Sequence, residues 1–225
     1  DVIKIEPPEG DNTRYISVGP AHGMAGVFVN VNRGKRSVVL DLRSDEGKQA
    51  LRALIASADV FIHSMRAKAI AKLGFSYEAV REINPAIVYT NCYGYSRRGP
   101  DADRPAYDDT IQAECGLPAV QRQLTGDATY VATIMADKVT GLTALYATMM
   151  ALFHRERTGE ATEVDVSLLS SGIWATACSI DVAMELGSDP FENQMPGGSQ
   201  AVGTNPFMGV FKTSDGKFIN LTVLS

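Results

Sequence analysis

Short β-branched and apolar runs alternate with stretches of helical spacing over the first ninety residues. The runs are VIKIE (2–6), SVVLDL (37–42), DVFIHS (59–64) and AIVYTN (86–91), each of strand length. Between the second and third, Leu51, Leu54 and Ile55 recur at i, i+3 and i+4 behind Ser44, whose hydroxyl suits an N-cap. Strand alternating with helix predicts an α/β fold in which crossover helices join the strands of a parallel sheet. Ligands collect beyond the carboxyl ends of such strands, which predicts a crevice among the loops after residues 6, 42, 64 and 91. Those loops carry PPEGD, Arg43, Arg66 with Lys68, and YGYSRRGPDADRPAYDD. They hold no GxGxxG or GxxxxGK[ST], so a dinucleotide or Walker-type phosphate loop is not expected.

The pattern then changes. A proline- and acid-rich stretch at 99–108 predicts a surface loop, followed by a helix near 109–116 and a Gly- and Thr-containing connection. A long helix starts near Asp137 and stops at RERTGEA, with Gly159 past its end. Apolar and small residues almost encircle it, which predicts burial on most sides. EVDVS reads as a strand and 168–187 as a second, mostly apolar helix. MGVFKT and FINLTV alternate around Asp215 and Gly216 as a β-hairpin. MPGGSQAVGTNP at 195–206 suits either a flap or a plain connecting loop.

Composition narrows the class. The 225 residues are 45% hydrophobic and 21% charged, with no apolar run long enough to cross a bilayer, so a soluble protein without a membrane partner is expected. A net charge of −5 argues against a nucleic-acid partner, which requires a basic field. An anionic ligand then needs a local basic cluster. NRGKRS at 32–37, with Arg33, Lys35 and Arg36, supplies one, unless it is only a solvated turn. Cys92, Cys115 and Cys178 fit neither a disulfide framework nor a zinc site, and suit a reducing cytoplasm. The opening DVIKIE is not a signal peptide, and a chain that begins and ends inside strand-like runs is expected to be part of a longer protein.

Asp137 stands at the start of the long helix, where the helix dipole favours an anion. It is either the cap of that helix or a carboxylate held for chemistry. Asp108 and Asp109 are adjacent, so they do not share a face as an acid/base pair, and one of them is expected to cap the helix they begin. Tyr107 either orients a ligand oxygen or packs. His22, His63 and His154 lie in no nucleophile or metal motif.

Six segments, in order, resemble the family III CoA transferases, the group of formyl-CoA and carnitine-CoA transferases and alpha-methylacyl-CoA racemase. They are DVIKIEPPEGD, NRGKRSVVLDLRSDEG, LGFSYEAVREINPAIVY, RPAYDDTIQAECG, DKVTGLTALYATMMALFHRERTGEATEVDVSLL and FKTSDGKF. The resemblance implies a Rossmann-like large domain over 1–187, the start of a smaller α+β domain over 188–225, and an interlocked homodimer.

It also implies a reaction. Asp137 matches the family's catalytic aspartate, which moves CoA between carboxylic acids through an aspartyl anhydride and an aspartyl-CoA thioester. Acyl-CoA is then a substrate, and no metal or redox cofactor is involved. CoA phosphates require cations, for which Arg33, Arg36, Arg66 and Lys72 are the candidates, with Tyr107 beside the reacting groups. The family's N-F-R-P-G run reads here as Ser64-Met65-Arg66-Ala67-Lys68, and its glycine flap is represented by Gly197, Gly198 and Gly203. The racemase branch has a histidine base where this chain has Tyr107. A tyrosine is a poor base for α-proton exchange, so transfer is favoured over racemisation or a non-catalytic acyl-CoA-binding role.

Overall fold

The apolar runs extend and the segments between them coil. A computed structural model describes residues 1–125, 127–186 and 208–222. In chain order it has β1 (Ile3–Glu6), a 3-10 turn (Asn12–Arg14), α1 (Gly26–Val31), β2 (Arg36–Val39), α2 (Asp45–Ile55), β3 (Val60–His63), α3 (Ala67–Leu73), α4 (Tyr77–Ile83) and β4 (Val88–Tyr93). It continues with α5 (Asp108–Glu114), α6 (Leu117–Thr125), α7 (Met135–Thr158), β5 (Glu163–Ser167), α8 (Leu168–Leu186), β6 (Met208–Lys212) and β7 (Phe218–Thr222).

The mixed α/β fold with parallel pairing is as expected. Hydrogen bonding divides the strands into the ladders β1-β2, β3-β4-β5 and β6-β7. β1 and β2 run parallel, with Ile3 opposite Arg36 and Glu6 opposite Val39. β6 and β7 form the antiparallel hairpin, pairing Met208 with Thr222 and Lys212 with Phe218. Ser44 caps α2 by accepting from the Gly47 N–H at 3.0 Å. Gly159 ends α7 at φ +78°, a left-handed conformation that a side chain would strain.

Two segments expected as loops are helical. Ala67, Ala69 and Ala71 are strong helix formers, and α3 takes up the stretch after Arg66. The connection after residue 116 coils into α6, with Pro118 in its first turn, where a missing N–H costs no intrahelical bond.

Packing divides the chain into two units. The first comprises Asp1–Thr90 and Met150–Val164. Its core joins Leu51 and Ile55 of α2, Ile70 of α3, Val80 of α4, and Phe75, Ile87 and Tyr89. Complete burial of each aliphatic or Phe side chain contributes about 1.5–3 kcal/mol. Polar groups within it are paired. His63 Nδ1 accepts the Met65 N–H at 3.1 Å, so the proton on Nε2 points to the Tyr89 hydroxyl at 2.9 Å, which donates to the Phe75 carbonyl at 2.6 Å.

Glu6, at the end of β1, is only 1% exposed. Its carboxylate accepts from Arg14 Nε at 2.7 Å, Arg14 Nη2 at 2.8 Å, Ser37 Oγ at 2.6 Å and the Asp11 N–H at 3.0 Å. Arg14 lies over the Phe28 ring at 3.9 Å and also donates to the Gly23 carbonyl, so one buried anion fastens the loop between β1 and α1.

The second unit comprises Asn91–Met149 and Asp165–Ser225. Tyr95, Ile111 and Ala136 form its buried centre, with Ala106, Leu168 and Leu169 against them. The chain passes closely at Gly94: its carbonyl accepts from the Leu169 N–H at 3.1 Å, and a Cβ there would sit 2.3 Å from the Ala106 Cβ. Thr176 Oγ1 of α8 donates to the Cys115 carbonyl at the end of α5, at 2.9 Å.

α7 is not buried on most sides. Its buried positions are Ala136, Thr140, Ala144, Thr148 and Ala151, a stripe of small residues at helical spacing. Leu142, Leu145, Tyr146, Met149, Met150 and Phe153 form a second stripe that is exposed. The small residues, not the large apolar ones, face the protein, so apolar size did not indicate the packed side. The glycine-rich stretch 195–206, with Gly197, Gly198 and Gly203, lies outside the described residues.

Candidate active site

Asp137 is the third residue of α7, in a first turn whose N–H groups have no partner within the helix. Its own side chain does not cap that turn. The Asp137 N–H donates to Asp108 Oδ1 at 2.9 Å, so the cap comes from α5, 29 residues earlier. Among the described residues no hydrogen bond or ion pair engages the Asp137 carboxylate. One side of the group is open to solvent while protein crowds the other. That partial desolvation, and secondarily the charge of Asp108, push its pKa above the ordinary 3.8.

Asp108 is held in turn. Its Oδ2 accepts from Gln112 Nε2 at 2.6 Å, one turn along α5. Gln112 is 2% exposed. Its Nε2 lies 3.1 Å from the Thr133 carbonyl and 3.4 Å from that of Val131, and its Oε1 accepts the Val131 N–H at 3.0 Å. Neither acidic residue caps α5, contrary to expectation. Tyr107 holds the N-cap position without a side-chain bond, Asp109 accepts from the neighbouring Thr110 N–H at 2.8 Å, and Asp108 faces α7. Tyr107 is 74% exposed.

The candidate cations belong to the first unit and separate into groups. Arg33 and Arg36 flank the exposed turn leading into β2, with Arg36 3.9 Å from Asp1. Arg66 stands at the N-cap of α3 and Lys72 in its last turn. Lys72 lines a groove of about 450 Å³ with Arg43, Lys48, Met65, Ala69 and Leu73; Arg33, Arg36 and Arg66 do not line it. Within that groove Arg43 is bound by Asp41 at 2.9 Å and faces Glu9 at 3.6 Å. Arg43 lies in a loop that the sequence placed at the crevice but was not among the phosphate-binding candidates, and Lys48, within α2, was not singled out.

A second cavity, of about 470 Å³, lies in the unit that contains Asp137. Tyr146 of α7, Trp174 of α8 and the paired Arg97 and Asp165, 2.8 Å apart, line it. No helix among the described residues is long and apolar enough to cross a membrane.

The model of CoA-transferase family III matches residues 1–225. Succinate–glutarate CoA-transferase of Agrobacterium fabrum is 35% identical over 176 residues, 75% of this chain and 44% of that protein. Acetyl-CoA:oxalate CoA-transferase of Acetobacter aceti is 39% identical over 170 residues, 74% of this chain and 43% of that protein. The crystal structure of a CAIB/BAIF family protein from Brucella suis superposes with a TM-score of 0.84 at 33% identity, covering 97% of this chain and 57% of that one. The chain thus spans about half the length of the curated relatives it matches.

Proposed function

The chain belongs to CoA-transferase family III, and from that premise we propose that it moves CoA between carboxylic acids by covalent catalysis at Asp137. The observation that carries the reading is a carboxylate at a helix start, with its backbone fastened and its oxygens unengaged by the described residues. Its raised proton affinity makes it a better nucleophile than an ordinary aspartate once ionised at neutral pH. Relatives named for succinate, glutarate and oxalate support carboxylate-to-carboxylate transfer.

In the first step an Asp137 oxygen attacks the thioester carbonyl of an acyl-CoA. The C–S bond breaks, and CoA leaves as the thiolate with the bonding pair, giving a mixed anhydride. The thiolate then attacks the Asp137 carbonyl carbon; the donor acid leaves as its carboxylate, and an aspartyl-CoA thioester remains. An acceptor carboxylate reverses the two steps, restoring Asp137 and forming the new acyl-CoA. Protons balance without general acid or base, and the demand falls on positioning, which supplies several kcal/mol of the barrier.

Arg33, Arg36, Arg66 and Lys72 are the proposed cations for the CoA phosphates, and Tyr107 a contact near the thioester. Remote binding of CoA's long arm supplies energy that holds the thioester in line. In the same reading residues 1–187 form the CoA-binding domain, 188–225 open a smaller one, and the protein acts in the cytoplasm as a homodimer. The exposed stripe Leu142, Leu145, Tyr146 and Met149 supports a protein-covered surface.

The test is to incubate the protein with a panel of acyl-CoAs, trap with hydroxylamine and locate the adduct by peptide mass spectrometry. A hydroxamate at residue 137, together with loss of transfer in Asp137→Ala while acyl-CoA affinity stays within about tenfold, is expected. An unmodified Asp137 during turnover, or turnover by the alanine variant, overturns the assignment.

A further inference from the structure

Gln112 has no place in the chemistry just described, yet it is buried and both ends of its amide are engaged. One Nε2 hydrogen goes to Asp108 Oδ2, a short charge-assisted bond. The other lies between the carbonyls of Thr133 and Val131, and Oε1 takes the Val131 N–H. The side-chain amide therefore pairs with Val131 as a neighbouring strand would, through both its N–H and its C=O. Val131 to Thr133 is the irregular segment that delivers the chain into α7, four residues before Asp137.

Asp108 carries the same linkage to the helix itself. With Oδ2 occupied by Gln112, Oδ1 is aimed at the Asp137 N–H. We infer that Gln112 is a positioning residue for the nucleophile, fixing Asp137 from two sides: the entry segment through Val131 and Thr133, and the first helical turn through Asp108. This inference rests on Asp137 being the nucleophile. Gln112 touches no reacting atom; it sets where the Asp137 Cα lies and keeps the Asp108 carboxylate on the backbone N–H.

The amide is matched to this task chemically as well as in shape. It is the group of this size that donates to a carboxylate and two carbonyls while accepting from an N–H, without carrying charge. A leucine of similar volume leaves the Val131 N–H and an Asp108 oxygen without partners. A glutamate keeps the shape but opposes Asp108 with a second carboxylate. Two carboxylates at such a distance share one proton, and that proton restores a donor to Asp108. The titratable groups around the amide are Asp108, Asp137, Lys138, whose Nζ binds Thr133 Oγ1, and the Cys115 thiol, directed to the Gln112 carbonyl.

The experiment measures steady-state transfer and hydroxylamine trapping for the intact wild-type protein, Gln112→Leu and Gln112→Glu between pH 5.5 and 8.5, with circular dichroism to confirm folding. For Gln112→Leu, kcat is expected to fall about 100-fold, the order of cost for a misplaced reacting group, while KM for acyl-CoA changes less than threefold. For Gln112→Glu, the ratio of its rate to that of wild type is expected to rise at least tenfold from pH 8.5 to 5.5. A general loosening of the fold does not produce that acid recovery. If Gln112→Leu does not fold, the pH ratio of Gln112→Glu decides alone. Folded variants with kcat within threefold of wild type, or a pH ratio that stays flat, overturn the positioning role while wild-type trapping at Asp137 still stands. A wild type that turns over without trapping at Asp137 overturns the nucleophile assignment, and the role of Gln112 with it.

Discussion

Replacing Glu6 by Gln tests how firmly the loop between β1 and α1 is held. Hydrogen bonds from Arg14, first of all, and then from Ser37 and the Asp11 N–H outweigh burial, and lower the Glu6 pKa from 4.5 to about 2. At about 1.4 kcal/mol for each tenfold change in proton affinity, that depression corresponds to about 3 kcal/mol of folding stability. Arg14 is 22% exposed on its side chain, and solvent screening of the pair reduces the figure to about 2 kcal/mol. Because the folded-state pKa is the depressed one, the stabilisation is complete above pH 4.5 and disappears as pH falls through about 2. Glu6→Gln is therefore expected to melt about 4–8 °C below wild type at pH 7, a chain of this size losing about 2–4 °C per kcal/mol. Melts of both proteins from pH 7 to 2 at constant ionic strength should show a constant gap above pH 5 that closes toward pH 2. A gap that persists unchanged at pH 2, or no gap at pH 7, would refute the reasoning, since either outcome means that the ionised carboxylate is not the source of the stability.

Asp137→Asn is expected to abolish transfer and, at the same time, to raise the melting temperature at pH 7. The folded-state pKa here is raised, by desolvation and then by Asp108, so the ionised form costs stability above that value and costs nothing below 3.8. Melts at pH 7 and pH 3.5 check this; the variant's advantage should vanish at the lower pH. Gly94→Ala places a methyl group 2.3 Å from the Ala106 Cβ and is expected to cost about 1–3 kcal/mol by denaturant unfolding. Ala106→Gly in the same chain should recover most of that loss; strict additivity of the two changes would show that they do not meet.

Much of the secondary structure was legible because its determinants are local. Ser44 precedes the spacing of Leu51, Leu54 and Ile55, and α2 begins directly after it. Gly159 follows the basic turn of α7 and ends it. The short runs became strands, and Asp215 and Gly216 fall between the two strands of the hairpin. Asp137 was visible as an acidic residue at a helix start, and the segments shared with family III singled it out from other such residues.

Tertiary structure decided what surrounds it. The cap on Asp137 comes from Asp108, and the clamp on Val131 comes from Gln112, 19 residues away. Bonds of that separation leave no periodic trace in a sequence, because loop closure sets their partners. The same holds for Lys72, which meets Arg43 and Lys48 although Arg33 and Arg36 formed the denser basic run. It holds also for α7, where hydrophobicity surrounds the helix and tertiary packing buries the face of Ala136, Thr140, Ala144 and Thr148. The sequence alone determined which segments coil or extend and which carboxylate merits attention, since those depend on neighbours within a turn or two. Which groups fasten the backbone that carries that carboxylate, and which side of its helix stays open, depended on contacts that exist only once distant segments have packed.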